Sequence, residues 1–126
     1  IEANATFFEN GADSSCSMVF RYDTAKAQLK STLVENTKTE AIFIFEKATI
    51  KINTMFHQPT TVTILKDGNE ETIDFGYKTI GYNFEIEHFN NLIRENKKES
   101  KSITVEFSKN LIITLDTVRS IIGLEY

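Results

Sequence analysis

The apolar residues of this 126-residue chain keep two different periods, and the change falls at Gly81. Before residue 75 they alternate. Ile1, Ala3, Ala5 and Phe7 are separated by polar partners, as are Cys16, Met18, Phe20 and Tyr22 after the turn Asn10-Gly11-Ala12-Asp13. Ala25, Ala27, Leu29 and Leu33 continue the pattern, with Lys26, Gln28 and Lys30 on the other face, and Asp23-Thr24 supplies a short turn. Successive side chains of a strand point to opposite faces, so this alternation predicts half-buried strands. Val62 and Ile64, then Asp67-Gly68-Asn69, then Ile73 and Phe75 predict a tight hairpin, since Asp-Gly accepts the positive φ angles such turns require. Ala41-Ile-Phe-Ile-Phe45 is apolar at every position, which predicts a central strand buried on both faces. Glu46-Lys47 turns it into Thr49-Ile50-Lys51-Ile52.

After Gly81 the period becomes helical. Tyr82, Ile86, Phe89 and Ile93 share one helix face, and Leu111, Leu115, Val118 and Ile122 repeat the spacing after the polar, mixed-charge stretch 94–101. Gly123 stands where a left-handed cap would end the second helix. The expectation is one α+β domain over 1–126: a mostly antiparallel open sheet of six or seven strands, with two C-terminal helices on one face. The opposite face is left to water or to another protein.

Composition sets limits on function. A chain of this size buries roughly two-thirds of its unfolded surface, enough for one core. The net charge of −4 carries no basic excess of the kind a nucleic-acid binder shows. No apolar run approaches the roughly 18 residues of a membrane span. With neither a span nor a signal peptide, the expected location is the cytoplasm. Cys16 is the sole cysteine, so no intrachain disulfide forms, and its strand pattern reads as a buried thiol rather than a nucleophile. The chain opens without Met on residues already in strand pattern, which suggests an excised fragment.

Several chemistries lack their residues. The glycines are 11, 68, 76, 81 and 123, so neither Gly-x-Gly-x-x-Gly nor a Walker loop is present. No cofactor is expected to bind this chain alone. Glu85-Ile-Glu-His88 has metal-ligand spacing, but a di-metal bundle needs two such motifs and four helices, so no metal is expected. His57 reads as a loop histidine. No Gly-x-Ser-x-Gly elbow supports a hydrolase. Tyr77 and Tyr82 bracket the crossing from sheet to helix, where their hydroxyls could face a substrate cleft; packed rings with wet hydroxyls are the plainer reading.

The order of these motifs resembles the C-terminal domain of the Gfo/Idh/MocA family of NAD(P)-dependent oxidoreductases, the dihydrodiol dehydrogenase-like branch above all. Gly11-Ala-Asp13 fits a Gly-x-Asp turn of that domain. Thr39-Glu-Ala-Ile-Phe43 with Ile50 and Ile52 fits its hairpin, although Phe45 and Ala48 stand where the family has glycines. Glu85, Glu99-Ser100, Leu115-Asp116, Val118-Arg119 and Ile122-Gly123-Leu124 fit its closing helices. The resemblance covers nearly the whole chain. It implies a parent enzyme that moves hydride between NAD or NADP and a small sugar, polyol or dihydrodiol. The family's catalytic lysine and cofactor lie in an N-terminal Rossmann domain, and its catalytic helix also precedes the matched region. Glu46-Lys47 is followed by Ala in a hairpin turn and is not the family's Glu-Lys-Pro. The resemblance therefore implies no catalytic residue here. It implies a cleft wall bearing Tyr77 and Tyr82, a Rossmann partner domain, and a homo-oligomer formed through the open sheet face. The alternative is a non-catalytic, sheet-based interaction module.

Overall fold

The computed structural model describes residues 1–125. Seven antiparallel strands precede two helices, as the change of period predicts. The chain forms two compact units. One comprises Ile1–Thr37 with the chain from Glu99 onward; the other is Lys38–Lys98.

The first unit holds β1 (Glu2–Phe7), β2 (Asp13–Arg21), β3 (Lys26–Thr32) and α2 (Val105–Ile122). Its sheet order is β1-β2-β3. The register sets Ala3 beside Met18 and Leu29, and Ala5 beside Cys16. Residues directly opposite share a face, so these make one apolar face, while Asn4, Ser17 and Lys30 line the other. Helix α2 runs along β1. Cys16 and Val118 are the buried apolar residues of this small core. Leu111 and Leu115, expected to share the buried stripe with Val118, stay partly exposed.

Both ends of α2 are closed by side chains or by glycine. The Thr104 hydroxyl accepts the Phe107 N–H at 3.0 Å, and Glu99 Oε1 accepts the Val105 N–H at 2.6 Å. Two of the orphan donors of the first turn are thereby satisfied. Gly123 adopts φ 73°, and the Leu124 N–H reaches back to the Arg119 carbonyl at 3.1 Å. That is the left-handed cap expected at Gly123.

The second unit is the meander β4 (Ala41–Ile44), β5 (Thr49–Ile52), β6 (Val62–Lys66) and β7 (Asn69–Ile73), followed by α1 (Tyr82–Arg94). The predicted hairpin is present. Asp67 and Gly68 take φ 51° and 78°, a type I′ turn that pairs Lys66 with Asn69. The turn at Glu46-Lys47 also closes, by the Phe45 N–H to the Ala48 carbonyl at 2.9 Å, without the family's glycines. Ile50, Ile52, Val62 and Ile64 lie half-buried on one face. The other face carries a polar row. Asn53 Nδ2 donates to Thr61 Oγ1 at 2.8 Å and to Thr63 Oγ1 at 3.0 Å, and Thr63 shares a hydrogen bond with Thr72 at 2.9 Å. Thr63 is buried, and these bonds satisfy its hydroxyl.

Two expectations change. The strands form two sheets rather than one, and each unit holds one helix. No ladder joins β3 to β4; instead the Thr39 carbonyl, at the entry to β4, accepts the Phe56 N–H at 3.0 Å. The run Ala41–Phe45 is an edge strand, not a central one, and Ile44 is 81% exposed. An unbroken apolar run signals burial only where both neighbours and both faces are covered, and β4 has one neighbour. Among the described residues, no helix is long and apolar enough to cross a membrane.

Candidate functional site

In the second unit, the loop 53–61 and the segment 74–85 come together. Gly81 is the contact point. It takes φ 100°, and a Cβ built there would stand 3.2 Å from Pro59 Cδ. Only a residue without a side chain lets the start of α1 approach the loop so closely. The Gly81 carbonyl accepts the Phe84 N–H at 3.0 Å, and its N–H donates to Thr79 Oγ1 at 3.2 Å. No side chain caps this helix end.

The two tyrosines singled out by position line different recesses. Tyr77 opens on one of about 220 Å³ with Pro59, Thr60, Thr61 and Asp74. Asp74 Oδ1 there accepts the Gly76 N–H at 2.8 Å, and Thr60 donates to the Thr54 carbonyl at 3.0 Å. The Tyr77 ring meets Phe84 edge-on at 5.5 Å and stands 6.3 Å from Phe75. Aromatic contacts thus hold its ring on one side.

Tyr82 opens on a recess of about 200 Å³ with His57, Gln58, Ile80, Gly81 and Glu85. Tyr82 is more than half exposed. From sequence His57 is a loop residue, and Glu85 stands out by its spacing to His88 and by its fit to the closing helices. The structure brings His57 and Glu85 to one recess, which His88 does not line. The loop 53–61 folds back on Gly81 across more than twenty residues of chain, and Gly81 itself was the only local signal of that approach. Among the described residues, no three His, Cys, Asp or Glu side chains are grouped to hold a metal.

Elsewhere, Cys16 is buried within the first unit. Burial first, and the negative charge of Asp13 second, push its thiol above the ordinary cysteine range. Thiolate is the reactive form, so Cys16 is protected twice. Labelling of the folded chain by a disulfide reagent at pH 8 is expected to be about 100-fold or more slower than in denaturant, because reaction waits for local opening. Comparable rates in the two states would show that the first unit does not hold this strand closed.

No family model matches the chain. Over its whole length it is 30% identical to the scyllo-inositol 2-dehydrogenase (NADP(+)) IolU of Bacillus subtilis (strain 168), and it spans 38% of that protein. The chain is a distant homologue of part of a dehydrogenase. The relative is described as using NADP(+). The residues of this chain do not fit a dinucleotide. Gly11 and Gly68 sit in hairpin turns and Gly123 ends a helix, while Gly76 and Gly81 lie between β7 and α1 but with four residues between them, without the one-residue spacing of Gly-x-Gly. A pyrophosphate cradle needs a glycine loop between a strand and the helix that follows it.

Proposed function

We propose that this chain is the C-terminal domain of a Gfo/Idh/MocA oxidoreductase that passes hydride between NADP or NAD and a hydroxylated substrate, a cyclic polyol being the favoured class. The observation that carries this reading is the 30% identity to an NADP(+)-dependent inositol dehydrogenase over the full length of the chain. In this reading the cofactor and the catalytic lysine belong to a Rossmann domain of the parent protein. The present chain supplies a wall of the substrate cleft, with Tyr77 and Tyr82 facing substrate, and its uncovered sheet surface supports subunit contacts.

A second reading, a non-catalytic interaction module, is favoured by one feature. The stripe Tyr82, Ile86, Phe89 and Ile93 on α1 is exposed along its length, and apolar patches of this kind mark contact surfaces.

Two observations on the complete reading frame separate these readings. The protein expressed from its complete reading frame is expected to reduce NADP+ in the presence of scyllo-inositol or a related cyclic polyol, followed by NADPH absorbance. The same frame should carry Gly-x-Gly-x-x-Gly roughly 150–200 residues upstream of Ile1, given usual domain sizes. In parallel, calorimetric titration of the 126-residue chain with NADH and NADPH is expected to give no binding. A dissociation constant in the low micromolar range for the isolated chain would overturn the division of labour. Failure to turn over any polyol, with no glycine fingerprint upstream, would leave the interaction module.

A further inference from the structure

We propose that the recess lined by His57, Gln58, Ile80, Gly81, Tyr82 and Glu85 is a binding site for an uncharged polyhydroxylated ring. The proposal rests on the oxidoreductase reading and extends it: His57, Gln58 and Glu85 join Tyr82, which that reading turns toward substrate. Four of the six lining residues carry hydrogen-bonding side chains, and they differ in kind. A carboxylate accepts two hydroxyl protons, a carboxamide both donates and accepts, and imidazole and phenol each do either. Adjacent hydroxyls on one ring need that mixture, because each is at once a donor and an acceptor. Tyr82 and Ile80, both exposed, add apolar surface for the C–H side of such a ring.

The alternatives fit less well. No Lys or Arg lines the recess, and the Glu85 carboxylate would repel a phosphate or carboxylate ligand. A metal would find two ligand types there, His57 and Glu85, where a stable site takes three or more protein ligands. An apolar ligand would strip water from four polar side chains without replacing their hydrogen bonds. Volume narrows the choice again. At about 200 Å³ the recess is smaller than the roughly 300–1,000 Å³ that drug-sized ligands occupy, which suits a single small ring.

The recess also has a fixed rim. Pro59 against Gly81 holds the loop bearing His57 and Gln58 beside the helix bearing Tyr82 and Glu85. The Pro59 ring against Gly81 thus brings side chains from two segments to one recess.

The test uses the 126-residue chain and amide-resolved NMR, with myo-inositol as the probe and inorganic phosphate as the comparison. Myo-inositol is expected to shift the signals of Gln58, Gly81, Tyr82 and Glu85 and to saturate in roughly the millimolar range. Phosphate is expected to leave them unmoved. Glu85→Gln and His57→Ala should each weaken the probe about 10-fold or more while the rest of the spectrum keeps its dispersion. Glu95→Gln, outside the recess, should have no effect. Shifts confined to Thr60, Asp74 and Tyr77, no shifts at all, or affinity unchanged in both recess variants would overturn the proposal. Turnover of a polyol by the complete protein, with this recess silent, would leave the oxidoreductase reading intact and remove only the site. Shifts at the recess in a protein that turns over no polyol would keep the site and remove the enzyme.

Discussion

Val118→Asp is expected to unfold the first unit at neutral pH. Val118 is 6% exposed, the most buried side chain of α2. Burying an unpaired carboxylate costs several kcal/mol even after relaxation. Small domains have only about 5–15 kcal/mol in total, and this one has a small core. Val118→Ala is the milder comparison. Two lost carbons cost about 1.6 kcal/mol at roughly 0.8 kcal/mol each, before any cavity is counted. Leu115→Ala should fall below the roughly 2–5 kcal/mol typical of buried leucine, since Leu115 is 41% exposed. Urea denaturation followed by circular dichroism ranks the three. A loss for Val118→Asp no larger than for Leu115→Ala would mean that α2 is not seated as described.

The second large effect is expected at Gly81. Alanine there must hold φ 100° and place its Cβ 3.2 Å from Pro59 Cδ. The left-handed backbone costs roughly 1–2 kcal/mol for an L residue, and forcing the ring of Pro59 aside adds about 1 kcal/mol or more. Gly123 provides the control. Its φ is 73°, within the usual left-handed range, and nothing stands within 4 Å of a Cβ built there. Gly123→Ala should therefore cost only about 1 kcal/mol. Shifts in denaturation midpoint separate the two glycines, and equal losses would show that Pro59 yields freely. Because the same contact holds the rim of the polar recess, Gly81→Ala should also disturb the signals of His57 and Gln58, and Gly123→Ala should not.

Local chemistry was readable from sequence wherever one residue type answers one conformational demand. Asp67-Gly68 gave the type I′ turn, Gly123 the helix cap, and the change of period after Gly81 the start of α1 at Tyr82. What depends on neighbours was not readable. Ala41–Phe45 has the composition of a central strand, yet it ends a sheet, because pairing partners are chosen by chain paths that periodicity does not encode. The same holds for the recess. Tyr82 could be picked out by its place at the sheet-to-helix crossing. His57 and Gln58 could not, since nothing in the residues between them and Tyr82 states that the loop returns to Gly81. On α1 the stripe was correctly periodic but is exposed, so period identified a face without identifying what covers it.

The first unit is split in sequence, with β1, β2 and β3 made early and α2 made last among the described elements. During synthesis, then, β1, β2 and β3 must wait through the whole of 38–98 before α2, which packs on β1, leaves the ribosome. The intervening segment is contiguous and can close its meander as soon as Ile73 appears. At roughly 5–20 residues per second, the wait lasts several seconds, far longer than the microseconds a hairpin needs to form. The sheet of the first unit therefore stays unfinished for those seconds, an interval long enough for a chaperone to bind it.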